Sequence, residues 1–162
     1  MVARINTGKS ISKALNYNEQ KVANGKAECI IASGFIKYVN RLNFYDKLHH
    51  FERLISLNER TTINTLHLSL NFDSSDKINT EKLQAIARQY MQRIGFGNQP
   101  YVAYRHHDAS HPHIHLVTTN IQSGGFRISM HNLGKNKSEK ARKEIESEFG
   151  LVKLKAVNKQ IN

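Results

Sequence analysis

The sequence predicts an α/β domain with an antiparallel central sheet, helices packed mainly on one face of it and the other face left open. Three observations lead there. Segments of period 2 alternate with segments of period 3.6 along the whole chain. The strongest strand pattern, 62–72, sets Leu66, Leu68, Leu70 and Phe72 against Thr65, His67, Ser69 and Asn71, so one side is apolar and the other polar. Only two prolines interrupt the 162 residues, and no internal repeat or low-complexity tract is present. A chain of this length can bury one sizeable core, which predicts a single domain over 1–152 followed by a polar, patternless tail over 153–162.

The elements follow in order. A short strand at 2–5 precedes the turn Thr7-Gly8-Lys9-Ser10, and a helix is expected over about 11–22. Ile11, Ala14, Leu15 and Val22 form its apolar stripe, and Tyr17 lies well off that stripe, hence accessible. A strand is expected at 27–32 and a helix at about 40–57, where Phe44, Leu48, Phe51 and Ile55 recur at helical spacing. After the 62–72 strand, Asn79 can cap a helix with Glu81 in its first turn, a stripe running from Leu83 to Ile94, and Gly95 as its stop. Two strands at about 101–106 and 112–119 are close enough to pair as a hairpin. Gly124-Gly125 turns the chain into a short strand at 126–128, and a last helix at about 138–149 starts at a serine cap and ends at Gly150.

Composition narrows the partners. Lys and Arg number 24 against 13 Asp and Glu, a formal net charge of +11, and a positive field of that size favours a polyanion. The single cysteine, Cys29, has no internal partner and sits in an apolar run, as expected of a cytoplasmic, reducing setting. No apolar stretch approaches the ~20 residues of a membrane span. Thr7-Gly8-Lys9-Ser10 ends like a phosphate-binding loop, but the glycine that such a loop requires would fall at Ala3, which leaves a turn and a helix start.

The segment with most chemistry is His106-His107-Asp108-Ala109-Ser110-His111-Pro112-His113-Ile114-His115, five histidines in ten residues. In an extended chain His111, His113 and His115 share one face, while Ile114 and Leu116 share the other. Imidazoles side by side over an apolar backing can seat a divalent cation. The identity of a third ligand stays open among His106, His107 and His111, and Asp108 can either orient a metal-bound histidine or accept a proton. Basic groups suited to phosphate contact are Arg4, Lys9, Arg105, Arg127, Lys135 and Lys137, and Tyr101 or Tyr104 would stack on bases if they face the substrate. His67 reads as a structural residue of the polar face.

The segment from His106 through Asp108, His111, His113 and His115 to Asn120 resembles the metal motif of relaxases, the mobilisation nucleases within the HUH endonucleases. The stretch Ala14-Leu15-Asn16-Tyr17-Asn18-Glu19-Gln20-Lys21 is similar to that family's N-terminal nucleophile motif, and 66–72 to its intervening motif. The resemblance implies an HUH-endonuclease-like fold of the ferredoxin-like relaxase type, with Tyr17 as nucleophile and His106, His113 and His115 as metal ligands; Asp108 joins Tyr17 as a catalytic candidate on its chemistry alone. The resemblance also implies site- and strand-specific nicking and rejoining of single-stranded or melted DNA at a transfer origin, through a 5′-phosphotyrosine, with accessory and coupling proteins as further partners. The family's working ion is magnesium or manganese, whereas all-nitrogen ligation by itself suits zinc, nickel or copper. Two alternatives remain at this point. A rolling-circle replication initiator would place its tyrosine after the histidine motif rather than before it, and a basic nucleic-acid-binding module without enzymatic activity would carry the histidines incidentally.

Overall fold

A computed structural model describes residues 1–153 of the chain. The expected tail at 153–162 falls, apart from Lys153, outside the described residues. Strand β1 (Val2–Gly8), helix α1 (Ile11–Ala23) and strand β2 (Ala27–Ser33) lead to a 3-10 turn at Val39–Arg41 and helix α2 (Phe44–Ile55). Strand β3 (Thr65–Asn71), helix α3 (Thr80–Arg93) and the hairpin of β4 (Tyr101–His106) and β5 (His113–Thr119) follow, and helix α4 (Glu139–Glu148) closes the domain. The five strands form one sheet in the order β1-β3-β5-β4-β2, and every pairing is antiparallel. The α/β class with an antiparallel central sheet therefore holds.

The distribution of helices differs from the expectation. Helices α3 and α4 seal one face, where Leu66, Leu68, Leu70, Ile114 and Leu116 meet Leu83, Ile86, Tyr90 and Ile145. Helices α1 and α2 sit on the opposite face, over Val102, Tyr104 and Val117. An amphipathic stripe shows that a helix buries one side but not which face of a sheet receives it. That second face is consequently half covered, and its uncovered half carries the polar residues of β1, β3 and β5.

Local signals account for most element ends. Ser10 caps α1 by accepting the Lys13 N–H at 3.2 Å, and Asn79 caps α3 in the same way from Lys82 at 2.8 Å. Helix α2 begins later than its apolar spacing suggested, because Asn43 and Asp46 form a reciprocal capping box there. The strand expected at 126–128 reduces to a single bridge between Ile121 and Arg127. Ser138 is not a cap: its backbone is already helical, a wide turn at Gly134–Ser138 runs directly into α4, and its hydroxyl pairs with that of Tyr90 at 2.6 Å.

A part-buried ion pair between Lys47 and Glu19 ties α2 to α1, and the Tyr104 hydroxyl donates to Glu19 Oε1 at 2.7 Å, joining both helices to β4. Burial pushes the Tyr104 hydroxyl far up from its ordinary value. Tyr101 and Tyr104 are both buried, so neither stacks on a nucleic-acid base as the sequence had allowed.

Candidate active site

The register brings the polar residues of three strands together. His106 on β4 faces His113 on β5, His115 faces Tyr104 on one side and Ser69 on the other, and His113 faces Asn71 of β3. Because side chains alternate across a strand, all of these point to the half-covered face. His106, His113 and His115 converge until one nitrogen from each lies within 4.8 Å of the others. The rings of His106 and His115 stack at 4.0 Å between centroids. His107 stands outside the group, exposed and 3.7 Å from Glu28. His111 leaves the strand before β5 begins and lies 3.3 Å from Asn71 Oδ1.

Their environment keeps these imidazoles neutral. Desolvation, reinforced by the neighbouring rings, lowers His106 to about 4 and His115 to about 3, and burial lowers His113 and His67 as well. Neutral imidazole is the form that binds a cation. His106 Nδ1 is buried and has no hydrogen-bond partner. An orphaned buried acceptor is destabilising unless something electropositive approaches it. The residues present therefore fit a divalent ion, with coordination positions left over for a substrate.

Tyr17 reaches this floor from α1. Its ring is 45 % exposed and lies 5.7 Å from His67, 5.9 Å from His115 and 6.3 Å from His106 between centroids. Lys21, one turn further along, places its ammonium 5.1 Å from the Tyr17 ring centre and forms an ion pair with Asp108. That hydrogen bond holds the Asp108 carboxyl below, and the Lys21 ammonium above, their usual ranges. The other face of the Asp108 carboxylate, Oδ1, stands 3.9 Å from both His106 Nδ1 and His113 Nε2.

The basic candidates separate. Arg4 is exposed and pairs in register with Ser69, on the same floor as His115. Lys9 lines an open cleft of about 370 Å³ with Asn6, Ser10, Lys13, Thr65 and His67, contiguous with the histidines. Arg105 does not join them. It is one residue out of phase with His106, so it points to the opposite face, where it donates to Thr80 Oγ1 at 2.8 Å and braces the start of α3. Lys137 reaches the C-terminal end of α3 beside Gly95, and Lys135 occupies the same turn, on the sealed side of the sheet. Arg127 follows the far end of β5, beside Phe126 and Arg60.

Two residues of the site, Lys21 and Asn18, were not singled out from sequence, and His67, read there as structural, stands against the histidine cluster. His67 Nε2 lies 3.0 Å from His115 Nδ1, a contact that depends on a register unknown before β3 and β5 are paired. Lys21 meets Asp108 across 87 positions of chain. Asn18 is wholly buried between α1 and the sheet, and it did have a signal: it is the polar member of the stripe Ile11, Ala14, Leu15 at the next helical repeat.

Residues 17–151 match the family model of relaxases, MobA/VirD2-like, nuclease domain. The chain belongs to this family. The match covers most of the sequence and begins at Tyr17 itself. Among curated proteins no match to the chain is found. A relaxase nuclease domain is a DNA-nicking module of mobilisation, metal-dependent in general and acting on single-stranded DNA. No helix among the described residues of this relaxase domain is long and apolar enough to cross a membrane.

Proposed function

We propose that this relaxase domain nicks and rejoins one strand at a transfer origin, with Tyr17 as nucleophile and His106, His113 and His115 as the holders of a divalent ion. One observation carries the reading: the Tyr17 ring is the exposed aromatic group that overhangs the imidazole cluster, with a lysine ammonium 5.1 Å from its centre. A phenol with an ordinary pKa near ~10 is a poor nucleophile at neutral pH and needs a positive field to favour its phenolate. Lys21 places its ammonium beside the ring, and the exposed rim gives the phenolic proton a path to water. The oxygen of Tyr17 attacks the phosphorus, the bond from phosphorus to the 3′-oxygen breaks, and the leaving 3′-oxygen takes a proton from water. The 5′-phosphotyrosine conserves the phosphodiester, so reversal reseals the strand.

An ion held by the three histidines would polarise the scissile phosphate and offset the charge that grows on its non-bridging oxygens. Magnesium or manganese fits a site that must bind and release phosphate oxygen, although the nitrogen donors also accept zinc or nickel. Asp108 positions Lys21 and faces the ligand nitrogens, a role of orientation, because one carboxylate oxygen is already held by the Lys21 ammonium and the other stands 3.9 Å from His106 Nδ1 and His113 Nε2. Arg4 and Lys9 hold phosphates flanking the break. We further propose that 1–152 is the nuclease domain of a cytoplasmic protein and that accessory and coupling proteins bring the origin to it.

The test is incubation with single-stranded oligonucleotides from the mobile element's own origin, with manganese or magnesium. A covalent adduct that maps to Tyr17 and disappears in Tyr17→Phe supports the reading. An adduct that persists in Tyr17→Phe, or nicking unaffected by chelation, overturns it.

A further inference from the structure

Nothing in an apolar helix stripe calls for an amide, yet α1 buries one. Asn18 has no exposed surface, and a carboxamide in that position is destabilising unless each of its groups is paired. Its Nδ2 donates to the main-chain carbonyl of Ala14 at 2.9 Å. A carbonyl only accepts, so this bond fixes which end of the amide is NH₂. The same nitrogen lies 3.3 Å from His67 Nε2, and the amide oxygen lies 2.8 Å from His106 Nε2.

That orientation propagates into the histidines. An amide oxygen can only accept, so His106 carries its proton on Nε2 and its lone pair on Nδ1, the buried nitrogen without a partner. An N–H on His67 Nε2 would confront the Asn18 NH₂ donor to donor, so that nitrogen bears the lone pair. That single lone pair is shared between the Asn18 N–H at 3.3 Å and the His115 Nδ1–H at 3.0 Å, which leaves the lone pair of His115 on Nε2. His113 is set independently, since its Nδ1 donates to the His111 carbonyl at 3.3 Å.

We propose that Asn18 is the positioning residue of the cation site, fixing the tautomers of two of the three ligand histidines, His106 directly and His115 through His67. The inference rests on the reading of His106, His113 and His115 as a cation site; it does not depend on the tyrosine chemistry. Outer hydrogen bonds of this kind select the ligating nitrogen in advance and raise its basicity, and their removal lowers metal affinity by about 10–100-fold.

The test uses the full chain and no DNA. Long-range proton–nitrogen spectra of the metal-free, 15N-labelled protein at neutral pH are expected to show His106 as the Nε2–H tautomer and His67 and His115 as Nδ1–H tautomers. Asn18→Leu, close in volume, should redistribute His106 and His115 and weaken manganese binding, followed by electron paramagnetic resonance, by about 10–100-fold. Asn18→Asp keeps the acceptor for His106 and loses the donor for His67, so His106 should hold its tautomer while His115 does not. If Asn18→Leu fails to fold, the wild-type spectrum and the aspartate variant still decide. A wild-type His106 protonated on Nδ1, or a folded leucine variant with unchanged tautomers and manganese affinity within about twofold, overturns the proposal. If the spectra agree but no adduct forms on Tyr17, the nicking mechanism fails and the role of Asn18 stands.

Discussion

The two faces of the sheet are built from the same strands and do opposite things. On β3, Leu66, Leu68 and Leu70 are fully enclosed under α3, while His67, Ser69 and Asn71, one position out of phase, line the other face. On β5, Ile114 and Leu116 belong to the core, and His113 and His115 stand over its back. One face is closed by two helices and carries the stability. The other is closed only where α1 and α2 cover Val102, Tyr104 and Val117, and where they stop the imidazoles begin. Alternation thus mounts a reactive constellation on a packed layer, with the precision of the sheet and none of the mobility of a loop.

That division of labour can be broken one face at a time. The largest effect is expected from Tyr17→Phe, which should abolish the covalent DNA adduct on a denaturing gel. Because the ring is half exposed, the stability measured by denaturant titration should change by less than about 0.5 kcal/mol. His115→Ala should weaken manganese binding, read by calorimetry, by more than the ~100-fold that loss of an outer partner brings. On the sealed face, Leu68→Ala should reduce unfolding free energy by about 2–5 kcal/mol in urea and leave manganese affinity of the folded fraction unchanged. A metal-binding loss from Leu68→Ala in protein still folded would show that the faces are not independent.

The smallest effect sharpens the comparison through pH. His106 and His115 are held neutral in the folded chain, at about 4 and about 3, and titrate near ~6.5 when unfolded. The unfolded chain therefore binds more protons below that value, and stability is lost as pH falls. The contribution is fully present above about pH 6.5 and declines as the folded values are approached. Metal-free protein should show a falling melting temperature from pH 7 to pH 5, and His115→Ala should flatten that slope.

Much of this arrangement was legible in the residues. The alternation in 62–72 sets the polar and apolar faces of β3, and the His-x-His pitch puts two imidazoles on one side of β5, because a strand leaves side chains no other choice. The same rule applied to β4 separates Arg105 from His106, so its exclusion from the floor was available in principle. What could not be read was long-range. Which sheet face receives α1, that β3 is the second partner of β5 beside its hairpin mate β4, and that Lys21 meets Asp108 all depend on tertiary packing that local periodicity does not encode. Cys29-Ile30-Ile31 reads as a plain apolar strand, yet β2 shifts register between Cys29 and Ile31. Asn18 was overlooked for a different reason: a polar residue within an apolar stripe reads as an interruption, although a buried amide at a helical repeat is itself a pointer to a partner.

Helix α1 is 13 residues long and places Tyr17, Asn18 and Lys21 on or beside the site while Ile11, Ala14 and Leu15 anchor it. Each residue of an α-helix turns the chain by about 100°. A single insertion or deletion between Ser10 and Tyr17 would swing the nucleophile, the buried amide and the ammonium off their targets together, or else tear the anchor from the sheet. Length variation among natural sequences is therefore expected outside this segment, and anyone moving the chemistry to another scaffold would have to graft α1 whole.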